Sequence, residues 1–189
     1  MTTPRCERIT FEELTDYAAG ALPDSQAATL EEHLFSCGDC AEDAAVLDAL
    51  IRGIGGAVRS AEIGGFVTDA VLNRLSREGV RMRTFTLSPG AIVPCAVWEH
   101  DELMALRLRG DFGRATAFTL SQRVGGNEVS RTAGEVAAGE HGEIIFATPA
   151  AWLRDLPAVA VELLLTATVD GEERQVGSYT LVHGGLLRR

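Results

Sequence analysis

The first 80 residues place their hydrophobic side chains at helical spacing. Thr10 followed by Glu13 is a capping-box pattern, in which the Thr side chain accepts from the third helical amide while the Glu side chain reaches back. This pattern predicts a first helix that begins there and ends near Gly20. Pro23 suits the first turn of a second helix, whose apolar stripe runs to about Phe35.

A third helix is predicted after the Gly38-Asp39 break. Its apolar side carries Ala44, Leu47, Leu50, Ile51 and Ile54. The glycine-rich residues 53–65 lack a strong period and predict a flexible joint. Beyond this joint, apolar residues from Phe66 to Leu75 predict a short, separate fourth helix that ends near Gly79.

From about residue 81 the hydrophobic period changes to that of β-strands. Seven or eight β-rich runs, from RMRTFTLS to RQVGSYTLVH, are separated by Pro-Gly, Gly-Asp, Gly-Gly-Asn and Asp-Gly turn signals. Short strands at this spacing predict an antiparallel β-sandwich or jelly roll. The sequence therefore predicts a two-domain α+β protein, with a small helical domain at 1–80 and a β-sandwich domain at 81–189.

The charge is distributed unevenly along the chain. Residues 1–50 hold 11 acidic residues against two Arg, whereas the remainder has a net charge of −1. Nucleic-acid phosphates require a basic surface, so the acidic N-terminal part argues against direct nucleic-acid binding. It suits a basic protein partner, with an ordinary solvated acidic surface as the alternative.

The chain has no run of about 18 apolar residues, and its N-terminal MTTPRCERITFEEL lacks the apolar core of a secretory signal. These features predict a cytoplasmic protein without membrane contact. Cytoplasmic thiols stay reduced, so clustered cysteines there hold metal or do redox chemistry more often than they form structural disulfides.

The octet HLFSCGDC contains the strongest chemical signal in the sequence. On a helix His33 and Cys37 lie one turn apart, and Cys37 and Cys40 have the spacing of zinc knuckles. Structural zinc takes four tetrahedral Cys or His ligands, so these three residues leave one position open. Cys6, just before the first helix, is the predicted fourth ligand, with a nearby side chain or a water as the alternative.

A metal ion would also stabilise the helical domain. A unit of about 50 residues buries too little apolar surface to be stable alone. A zinc ion contributes about 10 kcal/mol or more to small zinc domains. We therefore predict Zn²⁺ as the cofactor, the alternative being that the cysteines pack as small hydrophobic residues.

With this set of four residues in place, residues 5–80 resemble the zinc-binding anti-sigma factor family. Its His-x3-Cys-x2-Cys hallmark is matched by His33, Cys37 and Cys40, and its upstream ligand by Cys6. The GALP turn before the second helix and the predicted order of helices also agree. The resemblance implies a non-enzymatic stress-response regulator that binds an extracytoplasmic-function-type sigma factor one to one and blocks its access to RNA polymerase.

In that family the first three helices contact one sigma domain and the fourth contacts the other. The resemblance therefore implies partner contacts on both parts of the helical domain. The candidates on the third helix are Leu47, Leu50, Ile51 and Ile54. The candidates on the fourth helix are Phe66, Val67, Ala70, Val71, Leu72 and Leu75. Packing within the chain's own core is the alternative for both stripes.

The family leaves the role of the zinc open. Some members release their partner when the zinc-bound thiolates are oxidised and the metal is ejected. Others use zinc as a structural staple and sense their signal through a second domain. The separate β domain favours the staple.

The β domain carries no comparable motif. SPGAIVPCAVWEHDELMALRLRGDF resembles the start of a cupin, a fold found in one branch of the family, but Cys95 and Val97 stand where the cupin His-x-His pair would fall. No nucleophile elbow, phosphate loop or paired-carboxylate motif is present, so no catalytic residue is predicted. Possible metal ligands are scattered: Glu99, His100, Glu102, His141 and His183. The alternative functions are a metal- or thiol-dependent enzyme with its site in this domain, and an unassigned zinc-stapled interaction module.

Overall fold

The computed structural model describes residues 6, 9–59, 64–115, 117–138, 142–154, 156–169 and 172–187. The helices in this part are α1 (Phe11–Ala19), α2 (Asp24–Ser36), α3 (Gly38–Arg59), α4 (Asp69–Arg77) and α5 (Ala150–Arg154). The strands are β1 (Gly65–Val67), β2 (Met82–Leu87), β3 (Ile92–Trp98), β4 (Leu103–Arg109), β5 (Ala117–Val124), β6 (Asn127–Glu135), β7 (Glu143–Pro149), β8 (Val159–Val169) and β9 (Glu172–Leu187). N-terminal helices followed by a mostly antiparallel β domain confirm the predicted α+β class.

Helix α1 has the predicted bounds because both of its ends are capped. The Thr10 side chain accepts from the Glu13 amide at 3.2 Å, and the Glu13 carboxylate accepts from the Thr10 amide at 2.7 Å. This backbone hydrogen bond is the main reason that the pKa of the Glu13 carboxyl is lowered. At the other end Gly20 adopts a φ of 68°, which glycine tolerates best, and its amide donates to the Tyr17 carbonyl.

The chain divides into two compact units. The helical unit runs to Gly56 and includes Ala70–Glu78, and the sandwich unit contains the described residues of Ala57–Asp69 and those from Gly79 onward. The core of the helical unit is formed by seven buried residues of α1, α2 and α3: Leu14, Ala18, Ala19, Leu30, Ala44, Leu47 and Ile51. This is a small core, as expected for a unit that needs further stabilisation.

The structure differs from the sequence prediction between α3 and α4. Helix α3 continues to Arg59, through glycines that predicted a joint, and residues 60–63 lie outside the described residues. Phe66 and Val67, expected at the start of the fourth helix, form strand β1 instead. The centroid of the Phe66 ring lies 5.5 Å from that of the Phe146 ring and 6.2 Å from that of the Phe118 ring. Because Phe66 packs against these sandwich residues, it forms a strand although its sequence spacing is that of a helix.

Two sheets form the sandwich unit. Their strand orders are β1-β7-β4-β2 and β3-β9-β8-β5-β6. Most neighbouring strands are antiparallel, as predicted, but β2 pairs with β4 and β3 pairs with β9 in parallel. Strand β3 lies in the opposite sheet, so the chain leaves and re-enters the first sheet between β2 and β4, which run in the same direction.

The inward faces of both sheets share one apolar core. Its most deeply buried members include Leu87, Met104, Leu106, Leu108, Leu120, Phe146, Leu163, Leu165 and Tyr179. The Gly-Gly turn signal is confirmed at the β5–β6 hairpin, where Gly125 and Gly126 have φ of 58° and 81° and Val124 pairs with Asn127. In the described residues no helix combines the length and hydropathy needed to cross a membrane.

Candidate metal centre

Four potential metal ligands come together in the helical unit. Cys6 precedes α1, His33 lies in the last turn of α2, Cys37 caps that helix, and Cys40 lies in the first turn of α3. Their ligand atoms all lie within 4.8 Å of one another. Among the described residues this is the one such group of three or more His, Cys, Asp or Glu side chains.

The short link between α2 and α3 positions three of these side chains. The Cys37 amide and the Ser36 hydroxyl both donate to the His33 carbonyl at 2.9 Å, which ends α2. Cys37 has an extended backbone with a φ of −123°, and its carbonyl accepts from the Ala41 amide at 3.1 Å as α3 begins. The chain therefore turns sharply enough to bring the first turn of α3 back to the last turn of α2.

The separation of Cys6 from His33 fits a tetrahedral zinc ion. Zinc bonds of about 2.3 Å to sulfur and about 2.0 Å to nitrogen place neighbouring ligand atoms about 3.5–3.8 Å apart. Cys6 Sγ lies 3.6 Å from His33 Nε2. Three thiols and one imidazole are also donors that structural zinc sites use. These four residues would hold the ion, which when bound supplies a crosslink between the N-terminal segment, α2 and α3.

Burial raises the pKa of the Cys40 thiol to about 12, and hydrogen bonds with Cys37 and Cys6 act in the same direction. A thiol with this pKa keeps its proton at neutral pH when no metal is present. Zinc holds thiolates, so zinc binding must displace protons from the cluster.

Four large apolar side chains are exposed among the described residues of the helical unit. Phe35 is 94% exposed, and Phe11, Val46 and Leu50 are each about 60% exposed. Phe35 borders a cleft of about 290 Å³ that is also lined by Tyr17, Glu31 and Leu34. Val46 and Leu50 lie one turn apart on α3. Large apolar side chains exposed on a small unit are candidates for contact with a protein partner.

The residues of α3 that were predicted to contact a partner differ in their exposure to solvent. Leu50 is exposed, whereas Leu47 and Ile51 are buried in the helical core. The side chain of Ile54 lies outside the described part of the chain. Only Leu50 of the three described side chains is therefore accessible to a partner without rearrangement.

The predicted contacts of the fourth helix are mostly not on the surface. Leu72 and Leu75 are buried in α4. Ala70 is half-buried and packs against the core of the helical unit, and Val71 is half-buried as well. Phe66 and Val67 belong to the sandwich unit through β1. The structure brings none of these residues into one exposed stripe.

Periodicity did not identify Phe11, Phe35 and Val46 as surface residues. Phe35 and Val46 each lie one position away from the apolar stripe of their helix, next to Leu34 and Leu47, whereas Phe11 lies three residues before Leu14, on the stripe itself. A large apolar residue that falls off the stripe is the sequence signal that points to such exposure.

The scattered His and Glu residues of the sandwich do not form a metal cluster within the described ranges. His183 is buried, and its ring nitrogens make no hydrogen bond of standard geometry with the described residues. Burial lowers the pKa of His183, and the Leu156 backbone opposes that shift. His100 stacks on Trp98, with ring centroids 6.1 Å apart, while His141 lies outside the described residues.

Comparison with known proteins finds one family in the helical unit. Residues 6–41 match the family described as "Putative zinc-finger", and this segment contains all four cluster residues. No curated protein matches the chain. Among solved structures, the N-terminal domain of phage TP901-1 ORF48 is similar at 12% identity, over 55% of this chain and 98% of that one, with a TM-score of 0.34. A TM-score this low does not establish a shared fold.

Proposed function

We propose that this chain, whose residues 6–41 are the zinc-binding domain of anti-sigma factors, binds an extracytoplasmic-function-type sigma factor one to one. Binding keeps the sigma factor from RNA polymerase until a signal releases it. The observation that carries the proposal is the convergence of Cys6, His33, Cys37 and Cys40. The role is binding, and the zinc serves it by holding the helices in place.

The surface of the helical unit supports a protein partner. Phe35 and Leu50 offer apolar contact area, and the surrounding segment is strongly acidic, with 11 acidic residues against two Arg in residues 1–50. Complementary charge steers association and excludes wrong partners more than it adds affinity. A sigma-factor surface that meets nucleic acid is basic, so it matches this acidic unit in charge.

The test is co-expression of the tagged chain with the extracytoplasmic-function-type sigma factors of its source genome. Purified complexes are then measured for mass, stoichiometry and zinc content. We expect a one-to-one complex that carries one zinc ion and does not bind core RNA polymerase. A zinc-loaded chain that retains none of these sigma factors would overturn the proposed function while leaving the metal site intact.

The partner surface can be tested with charged substitutions. We expect Phe35→Asp and Leu50→Asp each to weaken sigma binding about 10–100-fold, because each places a charge in an apolar contact. Affinity is measured by titration of the labelled sigma factor. Ile92→Asp is the matched control, since Ile92 is 70% exposed but lies in the sandwich unit. Equal affinity of all three variants would exclude this surface, and unchanged zinc content would show that the variants are folded.

A further inference from the structure

His183 is a polar side chain buried in the sandwich unit. It is 1% exposed, and neither ring nitrogen makes a hydrogen bond of standard geometry with the described residues. A neutral imidazole carries one donor and one acceptor, so its burial without partners costs free energy, and burial of the charged form costs more. An apolar side chain would avoid both costs at this position. Packing alone therefore does not explain the imidazole.

The strand register places His183 on the inward face of its sheet. Tyr179 and Leu181, at alternate positions of β9, are also buried at 1% exposure each. Across the ladder His183 lies opposite Cys95 of β3 and Val159 of β8. Strand β8 begins at Val159, so this row of residues lies at the end of the sheet that the chain enters from α5.

The segment from α5 to Leu156 covers this end of the sandwich, and we call it the α5 cap. Helix α5 contacts both β9 and β3. Leu153 is fully buried in the core, and Trp152 and Leu156 pack against the same core. The Leu156 amide donates to the Leu153 carbonyl at 3.1 Å, and the Leu156 backbone lies near enough to His183 to oppose the lowering of its pKa. The imidazole therefore lies beneath the α5 cap.

The ionisable groups on the elements around this imidazole are a neutral thiol and side chains engaged elsewhere. Burial raises the thiol pKa of Cys95 on β3 to about 11. Arg154 of α5 donates to backbone carbonyls of the turn between β3 and β4. Arg83 of β2 pairs with Asp101 at 2.8 Å, and Asp155 lies outside the described residues. The imidazole is the one of these described groups whose ordinary pKa lies near 6.5.

Opening of the α5 cap changes the proton affinity of His183. Burial lowers the pKa of His183 in the closed state, whereas exposure to water restores the ordinary value of about 6.5. The open state therefore takes up a proton first as the pH falls below about 6.5. Its population relative to the closed state then rises about tenfold per pH unit, until the pH reaches the lower pKa of the closed state.

We propose that His183 makes the sandwich unit a proton sensor, in which the closed state holds a neutral imidazole beneath the α5 cap and the open state exposes the imidazolium to water. This function belongs to the sandwich unit and does not depend on the sigma-factor partner. It gives a unit whose sequence carries no catalytic motif a signal that it can detect.

The test uses the zinc-loaded full chain between pH 8 and pH 5.5. Hydrogen exchange of the α5 amides is measured at each pH and divided by the intrinsic rate at that pH, which gives a protection factor. We expect protection to be constant from pH 8 to pH 7 and to fall about tenfold between pH 6.5 and pH 5.5. His183→Leu removes the titrating group and should keep the protection constant throughout.

His100→Gln is the matched control. His100 is an exposed histidine of the same unit that stacks on Trp98, so its removal should leave the fall in α5 protection unchanged. Zinc content is measured at each pH, because protonation of the metal ligands releases zinc. Release of zinc should follow the same pH dependence in the wild type and in His183→Leu.

Constant protection in the wild type would overturn the sensor. A fall that persists in His183→Leu would overturn it as well, because another group then takes up the proton. If His183→Leu does not fold, NMR titration of the wild-type imidazole replaces it. The His183 signals should then titrate below pH 6.5 together with the α5 amide signals, and titration without any change in α5 contradicts the proposal.

Discussion

At the scale of single residues, Cys6 is the candidate ligand that lies farthest along the chain from the other three. It is 27 residues from its neighbour His33 in sequence and 3.6 Å from it in space. Cys37 and Cys40 are held by the turn between α2 and α3, whereas Cys6 lies on a segment that the turn does not fix. A zinc ion held by Cys6 would therefore join the segment before α1 to this turn.

We expect Cys6→Ser to lower zinc affinity about 100-fold or more, because a neutral hydroxyl replaces a thiolate ligand in a tetrahedral site. Affinity is measured by competition with a chromophoric chelator. Cys95→Ala is the control: Cys95 is buried in the sandwich core, and burial raises its thiol pKa to about 11. If the Cys6→Ser variant binds zinc with the affinity of the wild type, Cys6 is not a zinc ligand.

Glu143 is a carboxylate of the sandwich unit that is paired with two arginines. Its carboxylate accepts from Arg109 at 2.7 Å and from Arg107 at 3.3 Å. The hydrogen bond from Arg109 is the main reason that the pKa of Glu143 is lowered. Since the folded pKa lies below the unfolded one, the pairing stabilises the fold above the unfolded pKa, and this is lost as the pH falls through the folded pKa.

Glu143→Gln should therefore lower the free energy of unfolding by about 1 kcal/mol at pH 7, and by less at pH 3.5. Urea unfolding followed by tryptophan fluorescence measures this, because Trp98 and Trp152 both lie in the sandwich unit. Glu172→Gln is the control, since its partner Arg174 and Glu172 itself are mostly exposed. A loss of stability that is the same at both pH values would contradict the linkage.

At the scale of elements, the sequence predicted the helix ends and turns that are set by residues close together in the chain. The capping box at Thr10 and the glycine at Gly20 set both ends of α1, and the Gly125-Gly126 pair sets a hairpin. The alternating runs from residue 81 correspond to the strands β2 to β9. Parallel pairing of β2 with β4 could not be predicted, because it depends on which sheet β3 joins.

Strand β1 was not predicted for a related reason. Three residues are too few to show a period, and Phe66 fits a helical stripe as well as a strand. Its place is determined by Phe146 and Phe118, which are 80 and 52 residues away along the chain. The spacing of apolar residues around Phe66 cannot indicate contacts with residues so distant in sequence.

Phe66→Ala should destabilise the sandwich by about 2–4 kcal/mol, since it removes a ring packed against two others. The loss would be seen as a lower urea midpoint in tryptophan fluorescence, with zinc content unchanged. Phe35→Ala removes the same group from an exposed position and should leave the midpoint where it is. If both substitutions have the same small effect, β1 does not stabilise the sandwich.

At the scale of the whole molecule, the sequence predicted the ligand cluster but not the bonds that Arg74 of α4 makes to α1 and α3. Three of the four candidate ligands lie within eight residues, so their spacing in the sequence is enough to indicate a metal site. Asp48 and Arg74 are 26 residues apart, and neither lies in a recognisable motif. Their pairing follows from how α3 and α4 pack.

The order of β1 and α4 along the chain has a consequence for inheritance. Strand β1 pairs with β7 in the sandwich, while the next element, α4, belongs with the helices. A single crossover between two related genes therefore separates either β1 from its own sandwich or α4 from its own helices. A chimaera of two related chains therefore keeps the native packing of both units only when the two are taken from the same parent.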